Sequence, residues 1–435
     1  MTTHENVAAL LQNLIRFNTT NPPGNEAACI SYIDGLLREY GFETTIVGKT
    51  PERTNLITRL KGRGEAAPLL VYGHVDVVPT DGQNWTHPPF DAELIDGYIW
   101  GRGALDMKGG VAMMLSALLR AKVEGIVPPG DVILALVSDE EAGGEYGARY
   151  LVEEHPHLFE GVRDAIGEFG AFSSYVGGKR FYPIMLAERR ICTIEVVFRG
   201  PGGHGAQRHT GGAMAKLGRA LTQLDQNRLP VHLHPTVEAM ISAMAAELDE
   251  PLKSAFLGLL DPAKTDAVLD AMGASARMFE PLLHNTANPT IVNGGTKRNV
   301  IPSEIRLILD GRLLPGVSTE EFLAELHALL GDDVELIPIT DDGPTPSASG
   351  ALYDTLAQIL READPDGIPT PYVVSGGTDG RHFARLGIQT YGFTPMKLPE
   401  DFNFSATVHA ADERIPVSAL EFGADAIFQA IQRFS

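Results

Sequence analysis

Two apolar runs that stop at carboxylates, with a glycine-rich acidic motif between them, constrain this chain most. Val71-Tyr72-Gly73 leads into His74-Val75-Asp76, and Val132 to Val137 leads into Ser138-Asp139-Glu140-Glu141. Between them lies Gly103-Ala104-Leu105-Asp106-Met107-Lys108-Gly109-Gly110. A short apolar run bounded by turn residues is the mark of a buried strand. Carboxylates where such a strand opens into a loop suggest a metal site, and the chain reads as a metal-dependent hydrolase.

The surrounding pattern says which sheet these strands join. Helices are expected near Val7 to Arg16, Glu26 to Tyr40, Gly110 to Lys122 and Tyr146 to Glu153. Strands are expected near Asn55 to Leu60, Pro68 to Tyr72, Val132 to Val137 and Ala165 to Gly167. Strand-helix alternation predicts an α/β fold with a largely parallel sheet, whose sites lie at strand ends. From about Glu188 the order becomes β-α-β-β-α-β, from a strand at Cys192 to Arg199 through to one at Val334 to Ile339. That order predicts a small four-stranded sheet with two helices on one face. After Asp341-Asp342-Gly343-Pro344 the α/β style returns, with a helix at Leu352 to Arg361 and strands near Tyr372 and Thr390 to Phe393. The expected domains are therefore 1–187 with 342–435, interrupted by 188–341, which carries a helical insertion near 233–284. A length of 435 residues suits more than one domain, at roughly 100–200 residues each.

Charge and cysteine content narrow the partners. The formal charge of −21 disfavours nucleic acid and anionic membranes. Cys29 and Cys192 stand far apart, so neither a disulfide framework nor a thiolate metal site is expected. The start of the chain is polar and then amphipathic, with Val7, Leu10, Leu11, Leu14 and Ile15 at helical spacing; no run of about 18 apolar residues occurs. The expected location is the cytoplasm.

A cation such as zinc is held by imidazole and carboxylate, and two such ions roughly 3.5–4 Å apart need a shared carboxylate, for which Asp106 is the candidate. His74 offers the imidazole, with Asp76 two residues on to hydrogen-bond or support it. Alternatively His74 is a satisfied strand-end histidine. Glu140 and Glu141 would repel each other if desolvated without a cation, so one suits a metal and the other a general base. The rival reading of this acidic cluster is a cap on the following helix. His204 sits on a glycine-rich turn and His409 precedes Ala410-Ala411-Asp412-Glu413; each is ambiguous alone. His155 and His157 read as solvated, and His232, His234 and His284 have no carboxylate motif beside them.

Together the motifs Gly73 to Pro79, Gly101 to Gly109, Asp139 to Gly143, Gly203-His204, Asn299-Val300-Ile301-Pro302 and His409 to Glu413 resemble the di-zinc metallopeptidase superfamily. That superfamily holds aminoacylases, glutamate carboxypeptidases, acetylornithine deacetylases and succinyl-diaminopimelate desuccinylases. The resemblance implies that His74 and Glu168 hold one zinc and Glu141 and His409 the other, with Asp106 bridging; cobalt or manganese could substitute. It further implies Glu140 as general base on a water bridging the metals, Asp76 as its orienting neighbour, and a cis peptide after Asp106. The inserted domain would be a lid and dimerisation domain, with His204 reaching across a homodimer to the oxyanion. Asn299, Arg298 and Arg381 would bind substrate, Arg381 by pairing with a carboxylate. A Glu at position 168 looks like the acylase and desuccinylase branches, whereas Gly205-Ala206-Gln207-Arg208 lacks the proline usual after that histidine. The expected substrate is a small peptide or N-acyl amino acid. A desuccinylase or acetylornithine deacetylase is the alternative within enzymes, and a catalytically silent binding protein the alternative outside them.

Overall fold

The computed structural model describes residues 6–342 and 350–435, so Gly343 and Pro344 of the expected turn lie outside the described residues. The chain forms two compact units, one bounded as Met1–Leu186, Ala348–Tyr372 and Thr378–Ser435, the other as Ala187–Ser347 and Val373–Gly377.

The first unit is built on a mixed sheet. Its strands run in the order Thr44–Thr50, Arg53–Leu60, Val132–Val137, Leu69–His74, Asp164–Gly167, Gln389–Gly392, Lys179–Glu188 and Gly367–Val374, with Ser174–Val176 pairing to Lys179–Glu188. The four strands from Val132–Val137 to Gln389–Gly392 are parallel, and antiparallel strands flank them. Successive side chains of a strand point to opposite faces, so a strand buried on both faces is apolar throughout. Leu69 and Val71, with Val132, Leu134 and Leu136, fill the core on one face. Leu70 and Tyr72, with Ile133, Ala135 and Val137, fill a second core on the other.

The helix Lys108–Val123 is buried nearly all round. It packs against Leu69–His74 on one side and against the helices Val7–Ile15 and Val417–Arg433 on the other. The sequence reading did not anticipate Val417–Arg433, nor the strands Thr44–Thr50 and Lys179–Glu188. Among the described residues Thr44–Thr50 pairs with one neighbour, and it has no fully buried residue, so no apolar alternation announces it.

In the second unit an antiparallel sheet runs Thr286–Asn293, Glu304–Leu313, Arg190–Arg199, Glu335–Asp341. Cys192, Ile194, Val196 and Phe198 alternate inward against Leu217 and Ala220 of the helix Ala213–Gln226 and Phe322 and Leu326 of Thr319–Leu330. Ser318 and Glu321 form a reciprocal capping box at the start of Thr319–Leu330, worth about 1 kcal/mol. The helices Pro235–Glu247, Leu252–Leu259, Thr265–Met272 and Ala276–Leu283 make up the inserted segment. Two histidines here find carboxylates that no local motif places beside them: His232 pairs with Glu325 at 2.5 Å and His284 with Asp266 at 3.1 Å. Their partners are 93 and 18 positions away, beyond any local motif.

Candidate metal centre

Adjacent parallel strands deliver the acidic motifs to one place. Val132–Val137, Leu69–His74 and Asp164–Gly167 are neighbours in the sheet, so Glu140 and Glu141, His74, and Glu168 leave it at one edge. Asp106 precedes the helix Lys108–Val123, and the Asp106-Met107 peptide is cis. His409 comes from a turn near the end of the chain, where its φ is +62°.

These side chains form two groups able to hold a cation, His74 with Asp106 and Glu168, and Asp106 with Glu141 and His409. Asp106 belongs to both by using different oxygens. Its Oδ1 lies 3.1 Å from His74 Nε2 and its Oδ2 3.1 Å from His409 Nε2. Glu168 Oε2 is 3.4 Å from His74 Nε2, and Glu141 Oε1 is 3.3 Å from His409 Nε2.

His74 Nδ1 donates to the Asp76 carbonyl at 3.0 Å. A carbonyl only accepts, so that nitrogen carries a proton and Nε2 is left to face two carboxylate oxygens. Such an arrangement calls for a proton or a cation. Glu168 Oε1 is buried without a hydrogen-bond partner among the described residues, which fits a missing ligand. Imidazole with carboxylate is the donor set of zinc and similar divalent ions.

The Asp76 carboxylate supports the neighbouring turn more than the ring. It accepts from the backbone N–H of Glu140 and of Glu141, each at 3.1 Å, while its Oδ1 lies 3.4 Å from His74 Nδ1. Asn21 Nδ2 donates to Asp76 at 2.8 Å and to Asp139 at 3.0 Å. Arg53 then bridges Asp139 and Glu26, at 2.8 Å to each. The guanidinium leaves room only for glycine at position 24, where a Cβ would come within 2.2 Å of Arg53 and φ is +76°. Sequence reading missed Asn21, Arg53 and Glu26, whose only signal was burial of polar residues far apart in the chain. Of the cluster read alternatively as a cap, Asp139 accepts from the Tyr146 N–H at 3.1 Å just before the helix Ala148–Glu154, whereas Glu140 and Glu141 lie in the short 3-10 turn Glu140–Ala142.

Among the protein's own groups the charges compete. Burial, then the neighbouring Glu168, pushes the Glu140 carboxyl well above its ordinary value. Burial likewise pushes Glu141 up to about 7. Burial would raise Asp106 too, but hydrogen bonds from His409 and His74 hold it low. The bond to Asp106, then that to Glu141, raises His409 to about 10. Burial opposes protonation of His74, yet Glu168 and Asp106 raise it well above its usual value.

Arg381 lies in the first unit, its Nη1 4.0 Å from Glu140 Oε1. Close by in sequence, Asp379 is buried with neither carboxylate oxygen hydrogen-bonded among the described residues, and burial pushes its carboxyl well up. His204, Arg298 and Asn299 belong to the second unit and are exposed. There His204 pairs in a short ladder with Val300, and Gly205 N–H donates to the Asn299 carbonyl at 2.9 Å. Ala206 N–H donates to His204 Nδ1 at 3.1 Å, which leaves the neutral ring's proton on Nε2. His155, expected to be solvated, is half-buried and shares a hydrogen bond with Tyr150.

Comparison with known proteins agrees with this geometry. Residues 70–433 match the model of peptidase family M20/M25/M40. The chain is 28% identical over 376 residues to the probable carboxypeptidase S-like 2 of Dictyostelium discoideum, covering 83% of this chain and 71% of that one. It is 29% identical over 376 residues to an N-fatty-acyl-amino acid synthase/hydrolase of Xenopus tropicalis, covering 84% and 72%. In fold it resembles the M20 family metallo-carboxypeptidase Sso-CP2 of Sulfolobus solfataricus, with a TM-score of 0.68 at 17% identity over 98% of each chain. The chain belongs to peptidase family M20/M25/M40 and is a metal-dependent hydrolase.

Proposed function

We propose that the protein hydrolyses the amide bond of a small peptide or N-acyl amino acid at a centre of two zinc ions, which cobalt or manganese can replace. The observation that carries this is a fourth carboxylate, Glu140, beside two ligand groups that share Asp106 through separate oxygens. His74, Asp106 and Glu168 would hold one ion, and Asp106, Glu141 and His409 the other. When bound, the ions supply Lewis acidity, polarising the carbonyl and bringing the pKa of water towards about 7.

Glu140 takes the proton from water as the water oxygen attacks the carbonyl carbon. Its raised affinity for a proton, a result of burial, suits a base that must then hand that proton on. Glu140 delivers it to the amine nitrogen as the C–N bond breaks, leaving an acid and an amine. Asp76 orients this base by fixing the Glu140 and Glu141 amides. In the homodimer, His204 Nε2–H of one protomer would reach across to its partner as a donor for the tetrahedral oxyanion. Arg381 pairs with the substrate carboxylate, and Asn299 and Arg298 add contacts. The relatives named carboxypeptidase and N-fatty-acyl-amino acid hydrolase are consistent with this substrate class.

A homodimer through the second unit is part of the same reading. Its support is the strand Thr286–Asn293, an outer strand whose Ile291 and Val292 are exposed. The proposed location remains the cytoplasm, with no nucleic-acid or membrane partner; among the described residues no helix is long and apolar enough to cross a membrane. The test is hydrolysis of dipeptides and of N-acetyl, N-succinyl and longer N-acyl amino acids after chelation and return of zinc, cobalt or manganese. Metal-restored cleavage of one class supports the reading and settles desuccinylase against the others. No cleavage by protein that holds two ions would favour a silent binding protein.

A further inference from the structure

We propose that Arg102 and Glu413, with Gln83, are positioning residues that build the outer ligand group, Asp106 with Glu141 and His409, from behind. This rests on the two-ion reading above.

A small three-stranded sheet puts the pair together. Arg414–Pro416 pairs with Tyr98–Trp100, which pairs with Glu93–Ile95, so Glu413 and Gly101 meet where the first two strands end. Gly101 N–H donates to the Glu413 carbonyl at 2.9 Å. Both side chains are fully buried, and Arg102 is among the largest wholly enclosed side chains of the described residues. They form an ion pair at 2.6 Å between Arg102 Nη1 and Glu413 Oε2.

Each member then reaches a different metal ligand. Glu413 Oε1 accepts from the backbone N–H of Leu105 at 2.8 Å and of Asp106 at 3.2 Å. Arg102 donates to the carbonyls of His409 and Ala410, each at 3.2 Å. Gln83 completes the grip: its Nε2 donates to the His409 carbonyl at 2.8 Å and its Oε1 accepts from Arg102 at 2.7 Å. Two residues 303 positions apart are thus set against each other through one buried ion pair.

The outer group needs this more than the inner one. His74 is held at the end of a buried strand by the Asp76 carbonyl. The His409 side chain is 46% exposed and its backbone is left-handed, so burial does not fix the direction of its ring. What fixes it is the peptide that follows, gripped by Arg102 and Gln83. A guanidinium meets a carboxylate and two carbonyls at once, which a lysine ammonium with its single nitrogen does not reproduce.

The experiment is equilibrium titration of chelator-stripped protein with Co²⁺, read by bound metal and by the visible absorption of cobalt. The proteins are wild type, Arg102→Met, Arg102→Lys, Gln83→Ala, His409→Ala, and His409→Ala combined with Arg102→Met. Loss of an outer-shell partner typically weakens metal binding about 10–100-fold. Arg102→Met should weaken the binding step that His409→Ala removes by that factor, leave the other step within about threefold, and add nothing in the His409→Ala background. Arg102→Lys should recover only part, and Gln83→Ala should shift the same step less. Should Arg102→Met fail to fold, Gln83→Ala carries the test. Folded variants that bind two ions as tightly as wild type, or that weaken both steps equally, overturn the inference alone. Wild-type protein that binds a single ion overturns the two-ion reading, and this inference with it.

Discussion

His74 and His409 each place Nε2 3.1 Å from one oxygen of Asp106, yet the first side chain is 1% exposed and the second 46%. The inner histidine sits on a strand that is buried along its whole length, and its proton position is set by a carbonyl two residues on. The outer one stands on a turn, next to a glutamate that is itself in a turn, and is aimed by hydrogen bonds from distant segments. One half of the centre is thus a product of the sheet, whereas the other depends on long-range polar contacts.

The largest expected effect is blind to this difference. Glu140→Gln belongs to neither ligand group and should lower kcat by about 10²–10⁴ while bound metal stays at two ions, as measured by turnover and metal analysis on one sample. Metal loss in that variant would make Glu140 a ligand. The next test separates the halves: His74→Ala should abolish the tighter binding step and His409→Ala only the weaker, read by dialysis against buffered zinc. The reverse order would show that exposure does not set affinity here.

Asn21→Ala should destabilise the protein by about 1–3 kcal/mol, because buried Asp76 and Asp139 each lose a donor. Thermal melts measure that, and kcat should fall with KM little changed because the Glu140 turn loosens. An unchanged kcat would confine Asn21 to stability. The smallest effect is in pH. With no cation bound, Glu141 is protonated below about 7 and His409 below about 10. Cations take deprotonated ligands, so binding at the outer group should release protons and strengthen as pH rises through neutrality, by at most about tenfold per unit for each proton. Calorimetry in buffers of different ionisation enthalpy counts those protons; zero release at pH 7 would contradict the raised values.

The same contrast explains what the sequence revealed. His74 and the Asp139 to Glu141 cluster are legible because each ends an apolar run, and the sheet does bring those runs side by side. Glu168 and His409 come only from resemblance to a family, since one follows a run of four residues and the other stands in a loop. Asn21, Arg53 and Gln83 are illegible because an isolated polar residue gives no periodic signal, and Arg102, though inside the motif Gly101 to Gly109, carries no sign of its contacts. Their meaning lies in contacts made across 55, 86, 307 and 326 positions. The apolar strands Leu69–His74 and Val132–Val137 were found and the polar edge strand Thr44–Thr50 was not, for the same reason, although the largely buried Lys179–Glu188 was missed as well.

The chain of buried groups from Glu26 through Arg53, Asp139 and Asn21 to Asp76 carries a consequence for control of the enzyme by cleavage. The stretch from Asn21 to Glu26 forms no helix or strand, yet both its end residues are buried links in that chain. A cut there would separate the helix Val7–Ile15, whose Leu10, Leu11, Leu14 and Ile15 belong to the core, from the rest of the chain, and would loosen Asn21 from the glutamate turn at the same time. One cut would then act on the core and on the Glu140 turn together, so stability and rate should fall side by side.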